Sequence, residues 1–412
     1  MGSWHHRIEP AEAAAVLRRA WGRSLLLRNQ PSAIFHDLGL LRRRIEELTR
    51  CFPGDALHSA AIKANPVVEI LRTCVAFGMG LEAASLEEVE LARAAGCPPS
   101  RIVFDSPAKT LEELEEALRL GVILNADNRT ELERIDRLPR GDSWIGLRIN
   151  PLVGAGSIPS TSVAGSGSKF GVPLDPAVRL LFERYPWLVG VHLHVGSQGC
   201  GTDLLVEGVR RAYNLARDVP GLRFLDIGGG LPAAYSAPSE GKADIGAYAE
   251  ALRAGMPELF SGGARPRLIT EFGRALQANC GWAVSRVEYV KDNTAIVHLG
   301  ADFLVRPVYQ PQYWQHEMAV FGPDGQPRTG EPEPWSIGGP LCFQGDFIAR
   351  EILLPRLEPG DWLLIRDTGA YTLALWSRFC SRGIPPVLGY QGEDVRVLRQ
   401  GERPSDVVAF WS

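Results

Sequence analysis

The chain has 412 residues, 45% of them hydrophobic and 22% charged, with a net charge of -4. That length exceeds one ordinary domain, points to two or three, and leaves ample apolar material for a large core. The slightly acidic balance speaks against nucleic acid or an anionic membrane as partner, and no run approaches the ~18 apolar residues of a membrane span. Seven cysteines (Cys51, Cys74, Cys97, Cys200, Cys280, Cys342 and Cys380) lie far apart with no CxxC pair, which argues against a disulfide framework or a structural zinc. The first residues, Met1 to Arg7, carry no apolar signal core, so the expected location is the reducing cytoplasm.

The elements follow in chain order. A helix is expected near 36–50. From residue 57 onward, short apolar strands alternate with segments of helical period. The predicted strands are 58–64, 79–85, 101–106, 121–127, 143–150, 188–197, 223–230 and 267–274. The predicted helices are 66–77, 86–95, 110–120, 129–137, 175–185, 204–217 and 245–259. In 110–120 the apolar positions Leu111, Leu114, Ala117 and Leu118 share one face. Eight strands joined by helical crossovers imply a parallel sheet, and eight units in a row fit a closed (β/α)8 TIM barrel better than an open sheet. The helix at 36–50 fills the outer-ring slot that the eighth strand leaves open. Residues 154–168 are rich in Gly and Ser and read as a mobile loop. Beyond 276 the pattern turns to strands punctuated by Pro and Gly, with candidates at 277–292, 294–308, 346–355, 361–367 and 387–390, an antiparallel β-barrel or β-sandwich domain. The expected division is 1–30, an N-terminal segment packing with the β domain; 31–275, the barrel; and 276–412, the β domain.

Barrel enzymes carry their chemistry at the C-terminal ends of the strands. Strand one ends at Lys63, in Ala-Ile-Lys-Ala-Asn-Pro. A lysine there is costly to desolvate, and desolvation frees its amine for imine chemistry; alone, a snorkelling strand-end lysine is the commoner explanation. The strand Val191 to Gln198 presents His194, followed by Gly196 and the hydroxyl of Ser197. A lone histidine is more often a satisfied core residue, but an imidazole here suits stacking on a flat ring. The strand from Phe224 ends in Gly228, Gly229 and Gly230, either a tight turn or a nest of N–H groups for a phosphate. Strand eight ends in Glu271-Phe272-Gly273-Arg274, where the carboxylate either pairs with Arg274 or holds a proton on a ring nitrogen. Cys342, in Gly-Pro-Leu-Cys-Phe-Gln-Gly-Asp, is more often an inert thiol when judged alone. Together these residues supply what pyridoxal 5'-phosphate needs: an imine-forming lysine, an anion site, a stacking face and a carboxylate for the pyridine nitrogen.

At these residues the sequence resembles the ornithine/diaminopimelate/arginine decarboxylases, the fold type III pyridoxal phosphate enzymes. The resemblance runs from about residue 30 to 400 through AIKANP, FDSPAKT, LRINP, SKFGV, HLHVGSQ, LDIGGGLP, EFGR, GPLCFQGD and RDTGAYT. It implies that Lys63 forms the imine with the cofactor and that His194 stacks on its ring. It implies that Ser197, Gly228 to Gly230, the backbone at Gly273 and Arg274, and Tyr371 hold the phosphate, and that Glu271 pairs with the pyridine nitrogen. It also implies a homodimer with shared active sites, in which Cys342 of the second subunit protonates the carbon after carbon dioxide leaves. The implied activity is removal of the α-carboxylate from a small-molecule amino acid, nearer to the diaminopimelate branch than to the others.

The chain departs from that pattern after the cysteine. An acidic residue usually stands there to meet a distal ammonium; here it is Phe343, which offers at most a cation–π contact. Arg274 and Arg306 are the candidates for a distal carboxylate; Tyr309, one residue earlier than the usual tyrosine, Phe343 and Asp346 are further candidates for substrate contact. The expected substrate carries a distal acidic or acyl part without a free distal ammonium, such as an intermediate of siderophore or other secondary metabolism. meso-Diaminopimelate itself is the alternative. An amino-acid racemase on the same barrel is disfavoured by Glu271 and Cys342, and a non-catalytic regulator by the presence of both Lys63 and Cys342. His192 and His194 share a strand face, but no third ligand follows at a recognisable spacing, so no metal is expected.

Overall fold

The computed structural model describes residues 3–235, 244–261 and 265–412. These divide into two units: 42–233 with 244–261 and 265–276, and 3–41 with 234–235 and 277–412.

In the first unit eight parallel strands form the barrel of one sheet: Leu57–Ala61, Gly80–Ala83, Ile102–Asp105, Ile123–Ala126, Ile145–Asn150, Leu188–Leu193, Phe224–Asp226 and Arg267–Thr270, with the two-residue Val172–Pro173 added parallel to Ile145–Asn150. Each pairs with the next, and the last returns to the first, with Ile269 opposite Leu57 and Thr270 opposite His58. The sheet is thus a closed barrel. Helices Val68–Ala76, Leu86–Ala94, Leu111–Leu120, Arg129–Asp136, Val178–Arg184, Thr202–Ala216 and Ile245–Gly255 lie in the connections. Their local sequences explain them. Ahead of Leu111–Leu120, for example, the Thr110 hydroxyl accepts from Glu113 N–H at 3.2 Å and Thr110 N–H donates to Glu113 at 2.6 Å, which satisfies two end donors reciprocally.

The strands stop earlier than their apolar runs suggest. Pairing ends at Ala61 before Lys63, at Leu193 before His194, at Asp226 before Gly228 and at Thr270 before Glu271. Hydropathy marks burial, not the last ladder hydrogen bond, and at this rim burial continues past the ladder.

The inward-facing positions change character along the barrel axis. At one level Leu57, Val103, Ile123, Phe224 and Ile269 pack together. Phe224 fills the middle because glycines face it: a Cβ on Gly190 would lie 2.0 Å, and one on Gly146 2.7 Å, from its ring. Two residues further along each strand the layer is polar: Asp105, Asn125, Arg148, His192, Asp226 and Glu271, joined by Glu82, all buried.

The second unit is a nine-stranded sheet, predominantly antiparallel but mixed. The expected domain boundary at 30/31 moves to 41/42. The reason is the strand Ser32–Asp37, which pairs antiparallel with Gly281–Lys291 and parallel with Val387–Gln391. A second parallel pair joins Thr294–Val297 to Glu333–Gly338. The expected strand 294–308 ends at Val297, and Val305–Tyr309 is a short helix instead, because Phe303 and Leu304 N–H both turn back onto Gly300 O. Strands Met318–Phe321, Glu333–Gly338 and Asp394–Arg399 lay outside the expected set, the last two because they are short, half-exposed and rich in charge or Pro. The core gathers Phe35, Trp282, Phe321, Trp362 and Tyr390 against helix Pro10–Gly22, through Leu17 and Trp21. Phe35 stacks on Trp282 at 4.1 Å and 5°.

Candidate active site

Lys63 sits in a single 3-10 turn, Ile62–Ala64, directly after the first barrel strand. Its ammonium is bonded to Glu82, a fully buried carboxylate on the next strand. Burial, opposed by Lys63, pushes the Glu82 carboxyl up to about 8. The lysine therefore has a partner at the barrel mouth while its side chain stays 37% exposed.

Beneath it lies the polar layer. Arg148 Nη1 is 3.3 Å from Asp105 Oδ1 and 3.7 Å from Asp127 Oδ1. His192 Nε2 is 3.7 Å from Asp105 Oδ2 and 3.6 Å from Glu271 Oε2. Burial alone would raise both carboxyls, but Arg148 and His192 outweigh it at Asp105 and His192 outweighs it at Glu271, so both are held below the usual carboxylate range. Asp226 goes the other way: burial, then the neighbouring Glu271 charge, raises it well above. Two adjacent buried acids pushed in opposite directions define an ionised Glu271 and a protonated Asp226. Asp105, His192 and Glu271 place three potential metal-ligand atoms within 4.8 Å of one another. With the Arg148 guanidinium on Asp105, the group reads as a charge network.

Glu271 is not paired with Arg274. Its two carboxylate oxygens are buried and make no close hydrogen bond, His192 Nε2 standing off at 3.6 Å, a costly state that a protonated ring nitrogen would relieve. Arg274 instead donates through Nε to Ser197 Oγ at 3.1 Å, bringing a guanidinium and a hydroxyl together beside strand ends. The 154–168 segment, expected to be mobile, is tied to the same place: Ser197 N–H donates to Thr161 O at 3.0 Å, and Val163 N–H to Val195 O at 3.1 Å.

The three glycines have distinct tasks. Gly228 N–H donates to Asp226 Oδ1 at 3.0 Å. Gly229 N–H donates to His194 Nδ1 at 3.2 Å, so that nitrogen accepts and the ring is neutral. Burial, reinforced by Arg148 and Lys63, lowers His194 to about 3, which agrees. Gly230, with φ 110°, completes the run. Only glycine fits: a Cβ at 229 would lie 2.4 Å from Glu271 O, and one at 230 2.7 Å from Gly196 O. These cradle positions, the anion-seeking pair Ser197–Arg274, the buried, loosely bonded Glu271 carboxylate and the neutral His194 ring fit pyridoxal phosphate.

The remaining candidates belong to the β unit. Arg306 lies between the rings of Trp314 (4.7 Å) and Tyr371 (4.8 Å). Tyr371 has a left-handed backbone, φ 57°. Phe343 stacks on Tyr309 at 6.1 Å and 7°. Asp346 was a substrate candidate, but both its oxygens are occupied: Oδ1 accepts from Ala301 N–H and Oδ2 from Leu341 N–H, each at 2.7 Å. It organises the loop that carries Cys342.

Glu82, Asp105, Arg148 and Asp226 escaped the motif reading. Their signal was present as charged residues at inward positions of otherwise apolar strands, in Gly-Leu-Glu-Ala, Ile-Val-Phe-Asp, Leu-Arg-Ile-Asn and Phe-Leu-Asp, where a parallel barrel strand normally carries none.

Fold and site together define a barrel enzyme built to hold pyridoxal phosphate. Residues 38–278 match the family model of the pyridoxal-dependent decarboxylases, pyridoxal binding domain. Diaminopimelate decarboxylase of Pseudomonas aeruginosa is 31% identical over 85% of this chain and 85% of its own length, and that of Vibrio cholerae 32% over 87% and 87%. The crystal structure of Helicobacter pylori diaminopimelate decarboxylase complexed with L-lysine superposes with a TM-score of 0.83 at 27% identity, covering 95% of this chain and 99% of that one. The chain belongs to the pyridoxal-dependent decarboxylase family. It is a pyridoxal phosphate-dependent decarboxylase, closer to the diaminopimelate decarboxylase branch.

Proposed function

We propose that the enzyme decarboxylates a diaminopimelate-like amino acid whose far end is a carboxylate or acyl group without a free ammonium. The observation that carries this is the Cys342 loop. It presents Phe343 where an acid would meet an ammonium, and its one carboxylate, Asp346, is occupied by two backbone N–H groups. Arg306, held between two aromatic faces, is the cation for the distal carboxylate, and Tyr309 stacked on Phe343 forms the apolar wall. An intermediate of siderophore or other secondary metabolism fits this description.

The residues divide the work as follows. Lys63 would hold the cofactor covalently through its side-chain nitrogen. Glu271 keeps a proton on the ring nitrogen, with Asp226 and His192 fixing its charge. His194 presents a flat, neutral face whose rotation Gly229 N–H locks. Ser197, the glycines at 228–230, the backbone at Gly273 and Arg274, and Tyr371 would hold the phosphate. Pyridoxal phosphate supplies an electron sink for the pair released when the carbon–carboxylate bond breaks. Cys342 then returns a proton to the reacting carbon. The active species in this reading is a cytoplasmic homodimer that shares its sites, and sedimentation or light scattering checks the dimer.

A second reading, meso-diaminopimelate decarboxylase, is favoured by the relatives. One panel on the loaded enzyme decides: meso-diaminopimelate, its N-acyl derivatives, lysine, ornithine and glutamate, read by carbon dioxide release and product mass. Preference for acylated or ammonium-free substrates, with kcat/KM lost in Arg306→Ala, is the expected result. A higher kcat/KM on meso-diaminopimelate establishes the second reading instead.

A further inference from the structure

Of the seven cysteines, Cys342 and Cys380 are the two exposed ones. They are far apart in sequence, yet the segments that carry them lie side by side. The neighbouring rings Phe343 and Phe379 meet edge-on at 6.2 Å, which brings the two thiols near enough to influence one another.

Both loops are pinned to the same short stretch, Gly300–Asp302. On the Cys342 side Ala301 N–H donates to Asp346 Oδ1, Leu341 N–H donates to Asp346 Oδ2, and Gly339 N–H donates to Asp346 O at 2.8 Å. On the Cys380 side Ser377 N–H donates to Asp302 O at 2.8 Å, while Arg382 donates to Asp302 Oδ2 at 3.1 Å and to His298 O at 3.0 Å. Arg378 is fastened to Glu402 at 2.9 Å. Between these clamps Cys380 and Ser381 both hold left-handed backbones, φ 58° and 52°. Such residues cost roughly 1–3 kcal/mol each and persist where the surroundings hold them. The clamps thus impose the turn that sets the Cys380 thiol beside Cys342.

We propose that Cys342 and Cys380 are a dithiol site that closes to an intramolecular disulfide by exchange with a small disulfide such as oxidised glutathione, and that closing removes Cys342 from catalysis. The linkage stands on the two clamped loops and the ring contact between them; its effect on turnover rests on the proposed proton delivery by Cys342. Cys380, held on the clamped turn, makes the first attack. Its sulfur, as thiolate, bonds to one sulfur of the small disulfide, whose S–S bond breaks; the departing thiolate takes up a proton. Cys342 then loses its proton and attacks the Cys380 sulfur of the mixed disulfide, expelling the second small thiol. Two protein thiols are oxidised and one small disulfide is reduced to two thiols.

The test uses the full-length loaded enzyme, equilibrated in glutathione buffers of increasing oxidised fraction, then alkylated and mapped by mass without reduction. The expected result is a linked pair of peptides holding Cys342 and Cys380, lighter by two hydrogens than their sum. Activity is lost in proportion to the linked fraction and returns with dithiothreitol, while Cys380→Ser keeps its activity throughout the series. Only glutathione adducts or links between chains, with no Cys342–Cys380 peptide, would overturn the site. A complete internal link with undiminished turnover leaves the disulfide standing and overturns both its switching effect and the catalytic assignment of Cys342.

Discussion

Lys63 and Glu82 face each other at the barrel mouth as a charged donor and a fully buried acceptor. Lys63→Ala is expected to abolish turnover together with the visible absorbance of protein-linked cofactor. Glu82→Gln is expected to keep that absorbance and to lower kcat/KM by roughly tenfold or more, since a charge-assisted bond is worth ~1.5–3 kcal/mol. Two histidines set an acid limit on stability. Burial lowers His58 to about 4, and burial with Arg148 and Lys63 lowers His194 to about 3, both below the ordinary ~6.5 of an unfolded histidine. Between those values the unfolded chain binds more protons, so the contribution is complete above ~6.5 and declines as pH falls toward the folded values. Urea unfolding at pH 7 and pH 5 is expected to show a loss of about 1 kcal/mol per pH unit for each group, and His58→Asn is expected to flatten that slope. An unchanged slope would remove His58 from the account.

Among the elements, the barrel's two inner layers answer to different demands. The apolar layer is a packing problem. Gly190→Ala puts a methyl 2.0 Å from the Phe224 ring, and calorimetry is expected to show ~1–3 kcal/mol of destabilisation with the site chemistry otherwise intact. The Cys342 loop is a positioning problem: Asp346→Ala frees two backbone donors, and kcat is expected to fall by ~10-fold or more while cofactor absorbance is retained. The barrel strands and helices were legible in the sequence because hydrophobic period is a local signal, and the candidates at 63, 194, 197, 228–230 and 271 were readable as motifs placed at strand ends. The partners Glu82, Asp105, Arg148 and Asp226 were not legible, because their meaning comes from neighbours on other strands.

For the molecule as a whole, the alternation of strand and helix made the barrel legible, since each crossover is a nearest-neighbour event along the chain. The β unit was less so. Its sheet runs through Ser32–Asp37, joining Gly281–Lys291 on one side to Val387–Gln391 on the other, and nothing local announces such a distant pairing. Deleting residues 1–37 is therefore expected to leave an incomplete β unit, with Trp282 deprived of Phe35. Tryptophan emission shifted to the red at neutral pH would show it, whereas a native spectrum would count against a central role for that strand.

That threading has a consequence during synthesis. The strand Ser32–Asp37 leaves the ribosome first, but its parallel partner beyond residue 387 follows only after on the order of tens of seconds at ~5–20 residues per second. Through that interval the eight barrel strands can close among themselves, while an apolar segment with an open ladder edge waits. Nascent chains that pause late in translation are thus the population most in need of chaperones.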